Sequence, residues 1–155
     1  MEKSIFDGRD IALVGNAESL LSKRYGTMID SHDMVVRMNR VPEHEQRASL
    51  GWRTDLFVYA NPTFKHVRKN GVLSVHEFDV SGYHHTDRPS SGMRIIYHIV
   101  KFTNYKSLTL YGFDFMDSAS LTTPTRLRTD NPHDFTVEEA LIKSYETYGV
   151  LSICR

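Results

Sequence analysis

The 155-residue sequence has a single cysteine, Cys154, beside the C-terminus. One thiol closes no intramolecular disulfide and builds no cysteine-based metal site. So sparing a use of cysteine points to a reducing, cytoplasmic compartment. Net charge is missing as well, with 19 Lys and Arg against 19 Asp and Glu. No basic excess marks a nucleic-acid partner, and no acidic tail marks a disordered arm. The local run of Lys65, His66, Arg68 and Lys69 reads as a solvated face. No stretch approaches the ~20 apolar residues of a transmembrane helix. Met1 to Asp10 is polar and charged, unlike a signal segment. A soluble protein without a classical export signal is therefore expected. Repeats and low-complexity tracts are absent too. What is present is a length suited to one domain, residues 1–155. A chain of this size buries roughly 68–70% of its unfolded surface and needs no cross-links to hold a core.

Strand-like and helix-like segments alternate, which predicts an α/β fold with a mostly parallel sheet. Ile11-Ala12-Leu13-Val14 is a buried strand ending in the turn Gly15-Asn16. A short helix is expected over Ala17 to Tyr25, closed by Gly26. Strands follow at Met34–Met38, at Asp55–Tyr59 (stopped by Asn61-Pro62) and within Gly71–Phe78. Pro89-Ser90-Ser91-Gly92 opens a helix over Met93–Phe102, where Met93, Ile96, Ile99 and Val100 recur at helical spacing. Ser107–Tyr111 is the next strand, ending in Gly112-Phe113-Asp114. The polar stretch Asp117–Pro132 has no periodicity, and loops of that length are often functional. Thr136 with Glu139 fits a capping box for a last helix. That helix would present Val137, Ala140, Leu141, Ser144, Tyr145 and Tyr148 on one face. Gly149 ends it, and Val150–Ile153 reads as a final strand.

Open α/β sheets bind ligands at the carboxyl ends of their strands. Gly15-Asn16-Ala17, the turn before Met93 and Gly112-Phe113-Asp114 all fall there. A helix start offers unpaired N–H groups and the positive end of the helix dipole. Ser90 and Ser91 add hydroxyls, and Gly92 lets an anion approach the backbone. The same turn also fits an ordinary serine cap preceded by proline. Gly15-Asn16-Ala17 is neither a G-x-G-x-x-G turn nor a P-loop. Asn39 after the second strand suits a ribose or base contact, or a plain turn. His84-His85-x-Asp87 matches no standard zinc spacing, and adjacent side chains should diverge. Asp114 and Asp117 are an alternative cation pair. His98, inside a helix, reads as structural. His133 stands before the last helix, either exposed or placed as a general base near working pH.

Taken together the motifs resemble the sialyltransferases of glycosyltransferase family 29. The strand with Val14-Gly15-Asn16, then Arg37-Met38-Asn39, then Gly51-Trp52-Arg53-Thr54 matches the family's large motif. Pro89-Ser90-Ser91-Gly92 through Tyr111-Gly112-Phe113 matches its small motif, and His133 with Glu138 its His-x4-Glu motif. These span residues 11 to 138 in the family's order. The resemblance implies one Rossmann-like three-layer domain, a GT-A-like variant. It implies inverting, metal-independent transfer of sialic acid or a related acidic sugar from a CMP-sugar donor to a glycan acceptor, with no cofactor. By the same likeness, Gly15, Asn16, Ala17, Asn39, Ser90, Ser91, Gly92, Gly112 and Phe113 would hold the nucleotide and its phosphate. His133 would be the base, and Glu138 an orienting group. The cysteines of animal members are absent here. No third, His/Tyr-rich motif appears between Asp114 and Pro132, where Arg126 or Arg128 would have to supply its charge. A nucleotide- or sugar-binding module without transfer is the alternative function.

Overall fold

A computed structural model describes residues 2–61 and 71–155, with Asp130 described by its backbone only. The Lys65–Lys69 run lies outside the described residues. The apolar runs form β1 (Asp10–Val14), β2 (Met34–Met38), β3 (Leu56–Tyr59), β4 (Val72–Ser74), β5 (Ser107–Tyr111) and β6 (Ser152–Cys154). They make a six-stranded sheet in the order β4-β3-β2-β1-β5-β6. Every pairing is parallel, with Ile11 beside Met34 on one side and Leu108 on the other. Every residue of β2 is buried. Both faces of a parallel sheet are covered, so its strands read as continuous apolar runs.

The covering elements are α1 (Gly26–Asp30), α2 (Arg47–Leu50), α3 (Ser91–Phe102) and α4 (Phe135–Thr147). Strand alternation divides the core between them. Ile11, Leu13, Val36, Leu108 and Leu110 pack with Ile95, Ile96 and Ile99 of α3 and Ile142 of α4. Ala12, Val14, Val35 and Tyr111 pack the other way, with Leu20, Ile29 of α1 and Leu50 of α2. The result is the expected three-layer, Rossmann-like α/β sandwich. From β1 the chain runs outward through β2, β3 and β4, then returns to add β5 and β6 on the opposite side. Strand order reverses between β1 and β5, which opens a crevice at their carboxyl ends. No helix among the described residues is long and apolar enough to cross a membrane.

Several boundaries differ from expectation. The segment after β1 is a 3-10 turn, Glu18–Ser22, rather than a helix from Ala17 to Tyr25. Its start is held outward, because Ala17 bridges Ser120 and the Glu18 N–H donates to the Ala119 carbonyl at 2.8 Å. Gly26 starts α1 instead of closing a helix. A Cβ there would lie 2.1 Å from the Arg47 carbonyl, so the glycine permits α1 and α2 to touch. The fourth strand is only Val72–Ser74 and gives way to a 3-10 turn, Val75–Glu77, capped by Ser74. In α4 the cap is Asp134, whose carboxylate accepts from Val137 N at 3.1 Å. Thr136 is therefore two residues too late. The centre of the buried face differs as well, with Glu138 and Ile142 inside and Tyr148 83% exposed. A buried acid hides the true apolar stripe from a hydropathy reading. Gly149 ends α4 at φ +71°, and the last strand begins at Ser152 rather than Val150.

Candidate active site

The crevice at the switch point holds a cleft of about 290 Å³. Its wall includes Gly15, Asn16, Ala17, Asn39, Ser90, Ser91, Gly92, Gly112, Phe113 and His133, so every site residue read from the sequence lines one cavity. The same wall takes in much of the polar loop, notably Ser118, Ser120, Thr122, Thr123 and Arg126, of which only Arg126 drew notice in the sequence. The others carry no motif signal. Their loop reaches the site because Leu121 N donates to the Asn16 carbonyl at 2.8 Å, beside the Ala17–Ser120 bridge.

At the floor, Asn16 Nδ2 donates to the Met38 carbonyl at 2.8 Å, joining the ends of β1 and β2. Asn39 takes a positive φ of 58°, which asparagine tolerates better than most residues. Its Oδ1 accepts from Ala60 N at 2.7 Å and ties β2 to β3. The neighbouring Arg37 is buried and turned away from the cleft. Its guanidinium donates to the carbonyls of Arg53 (2.8 Å) and Leu50 (2.7 Å) and to Thr54 Oγ1 (3.1 Å). Burial brings its pKa down to about 10. Thus Arg37-Met38-Asn39 and Gly51-Trp52-Arg53-Thr54 are two halves of one brace. Arg53 completes it, donating to the carbonyls of Asp30 and His32, each at 2.7 Å.

The glycines serve a packing purpose. A Cβ on Gly92 would stand 2.8 Å from the Phe113 ring, and one on Gly15 would stand 2.6 Å from the Gly112 carbonyl and 3.0 Å from the same ring. Phe113 therefore occupies the space that both glycines leave free. Gly112 has φ +69°, which turns the chain from β5 into the cleft.

The start of α3 has four N–H groups without intrahelical partners. Two are used internally. Ser90 N donates to Glu138 Oε1 at 2.7 Å, and Met93 N donates to Ser90 Oγ at 3.2 Å. Ser91 N and Gly92 N are the remaining donors. The Ser90 hydroxyl donates to Glu138 Oε2 at 2.6 Å, so its proton faces the protein rather than the cleft. That corrects its expected use as a free hydroxyl donor, which leaves Ser91 in that position. Glu138 is 2% exposed, and burial raises its pKa against the opposing pull of the Ser90 bonds.

His133 Nδ1 lies 2.8 Å from the Arg88 carbonyl. A carbonyl only accepts, so Nδ1 carries the hydrogen and Nε2 of the neutral ring keeps a lone pair. That is the protonation pattern of a base. Asp114 and Asp117 do not form a cation pair. Asp114 accepts from Ser19 Oγ at 2.9 Å and from Ser118 N at 3.1 Å, whereas Asp117 pairs with Arg128 at 3.2 Å. Arg128 also pairs with Glu139 at 3.1 Å and is thereby committed outside the cleft. His84 and His85 stack at 5.3 Å instead of diverging. His98 accepts from Asp79 N at 2.9 Å and packs on Phe78, a structural role as expected.

The sequence model of the family described as Glycosyltransferase family 29 (sialyltransferase) matches residues 8–80. That is a little under half of the chain, and over it the chain is similar to glycosyltransferase family 29. Among curated family proteins, a chicken CMP-N-acetylneuraminate-beta-galactosamide-alpha-2,3-sialyltransferase 1 is 38% identical over 78 residues, 50% of this chain and 22% of that enzyme. The pig enzyme of the same name is 43% identical over 60 residues, 38% of this chain and 18% of that enzyme. A β-1,6-galactosyltransferase of Arabidopsis thaliana is 35% identical over 51 residues, 32% of this chain and 13% of that enzyme. The matches therefore span about a fifth or less of these relatives' length. A solved structure of a mammalian sialyltransferase in complex with Gal-beta-1-3GalNAc-ortho-nitrophenol superposes with a TM-score of 0.67. It covers 95% of this chain and 69% of that one at 19% identity, a likeness of fold.

Proposed function

We propose that the cleft takes a CMP-sugar donor, and that the domain transfers sialic acid or a related acidic sugar to a glycan hydroxyl with inversion. One observation carries this reading. Segments from both ends of the chain meet at the switch point of the sheet, beside an imidazole whose Nε2 is left as a base. The monophosphate would sit at the start of α3, against Ser91 N–H, Gly92 N–H and the Ser91 hydroxyl. A helix start stabilises such an anion through its free donors and its dipole. A single phosphate leaves with less charge than a diphosphate, so the step is written without a metal cofactor. The acceptor hydroxyl gives its proton to His133 Nε2. Its oxygen bonds the anomeric carbon, and the bond from that carbon to the phosphate oxygen breaks with its electron pair on the phosphate.

In a thermal-shift titration, CMP is expected to raise the melting temperature in the presence of EDTA. No shift at millimolar CMP would refute the donor assignment. His133→Ala is expected to keep CMP binding and to lose transfer. Undiminished transfer would remove the histidine from the mechanism.

The short span shared with the curated relatives favours a second reading, a nucleotide- or sugar-binding module without transfer. CMP binding with neither donor hydrolysis nor transfer would select it. The Arabidopsis relative's name also makes galactose a competing sugar, so the titration should run UDP beside CMP.

A further inference from the structure

The charges that face the cleft are unevenly provided for. Two carboxylates stand in its wall, Asp114 and Glu138. Both are held by internal donors, Asp114 by Ser19 and Ser118, and Glu138 by Ser90. An anion entering this space meets two like charges. Like charges a few ångströms apart repel, both in water and at a protein surface. Among the described lining residues one Arg or Lys stands against them, Arg126. It is exposed and makes no ion pair among the described residues.

Its backbone is nevertheless well placed. The loop leaves the Ala17–Ser120 bridge, with Leu121 N on the Asn16 carbonyl. Two successive turns follow. Thr123 N donates to the Ser120 carbonyl at 3.2 Å, and Arg126 N donates to the Thr123 carbonyl at 3.1 Å. Two residues on, Arg128 is clamped between Asp117 at 3.2 Å and Glu139 at 3.1 Å. The loop is thus pinned on both sides of Arg126, and of its two arginines only this one is left to face a ligand.

Resting on the reading above, we infer that Arg126 determines specificity in the cleft by pairing with an oxyanion of the bound donor. A guanidinium suits this task because its fork meets phosphate or carboxylate in two parallel hydrogen bonds. The oxyanion is either the phosphate of CMP or the carboxylate of the acidic sugar. Either would be drawn past the two wall carboxylates by the same cation.

The test is a calorimetric titration of wild type, Arg126→Ala and Arg126→Lys with cytidine, CMP and CMP-N-acetylneuraminate. A lost hydrogen bond to a charged group is worth about 10- to 100-fold in affinity. If the phosphate is the partner, Arg126→Ala weakens CMP by about that factor, leaves cytidine unchanged, and Arg126→Lys recovers part of the loss. If the carboxylate is the partner, CMP is unchanged and CMP-N-acetylneuraminate is weakened. The inference is overturned if all three ligands bind Arg126→Ala as they bind wild type. It is equally overturned if cytidine loses as much as CMP, since the effect would then not be one of charge. Failure of CMP to bind wild type is a separate result, and it removes the proposed function itself. An unchanged melting temperature for Arg126→Ala, an exposed loop position, confirms that folding is intact.

Discussion

Glu138 offers the most exacting test of how the site is held. It is 2% exposed and accepts from Ser90 N and Ser90 Oγ at 2.7 and 2.6 Å. Glu138→Ala removes both bonds and leaves the cap of α3 with an unsatisfied N–H. Each hydrogen bond to a charged group contributes about 1.5–3 kcal/mol, partly offset by the cost of burying the carboxylate. A net loss of about 2–4 kcal/mol is expected. For a domain of this size that lowers Tm by roughly 5–15 °C. The pH dependence is more specific still. Burial raises the folded pKa of Glu138 above its ordinary 4.5. The stability tied to its proton is therefore fully present below the unfolded pKa and is lost as pH rises through the folded one. Glu138→Gln does not titrate. The stability of wild type relative to Glu138→Gln should thus fall as pH rises from about 4 through the raised pKa. Urea denaturation of the three proteins across that range measures both effects. A loss under about 0.5 kcal/mol for the alanine variant, the level of ordinary surface substitutions, would refute the account of the cap. A rise in the stability of wild type relative to Glu138→Gln with increasing pH would refute the account of the charge.

Other positions respond to simpler perturbations. Gly92→Ala places a methyl 2.8 Å from the Phe113 ring and should cost about 1–3 kcal/mol. Adding Phe113→Leu should return part of that loss, so the double mutant is less destabilised than the sum, read from chemical denaturation. Asn39→Gly keeps the positive φ but loses the bond to Ala60 N, whereas Asn39→Ala loses both. Alanine should therefore be the less stable of the two by up to about 1 kcal/mol. Arg37→Leu abolishes the bonds to Leu50, Arg53 and Thr54. It should lower Tm and speed proteolysis of the segment after α2, which limited digestion would detect.

The parallel sheet was legible because its strands are short, continuous apolar runs, as in β1 and β2. The cleft was legible because asparagine, serine and glycine fall where strands end. Much of what the pattern concealed has a common cause, contacts between segments far apart in sequence. Glu138 and Ile142 form the buried centre of α4, so a hydropathy stripe running from Val137 to Tyr148 finds the flanking Leu141 and Tyr145 but misses that centre. Asp134 caps that helix from a position that a Thr-x-x-Glu pattern two residues later obscured. Ala17 to Tyr25 has helix-forming residues, yet a bridge to Ser120, more than a hundred positions away, holds its start extended. Gly92 reads as an opening for an anion, and in the fold it and Gly15 make room for Phe113.

The spacing between His133 and Glu138 has a physical explanation that neither residue supplies alone. His133 bonds the Arg88 carbonyl, and Glu138 bonds the backbone and hydroxyl of Ser90. The two anchors flank Pro89, about 6–7 Å apart in an extended chain. From Asp134 the chain turns into α4, which rises about 1.5 Å per residue. Four intervening residues let one end of α4 reach both anchors at once. Pro89 lacks an N–H and has a fixed φ, so it holds the short span stiff. The candidate base and the start of α3 are consequently one rigid unit, and a shift of either carries the other. Inserting one alanine between His133 and Glu138 would rotate Glu138 by about 100° about the helix axis and break the second anchor while leaving the first. If the α3 start holds the phosphate as proposed, CMP affinity should then fall together with transfer. Loss of transfer with undiminished CMP affinity would show that the two anchors act independently.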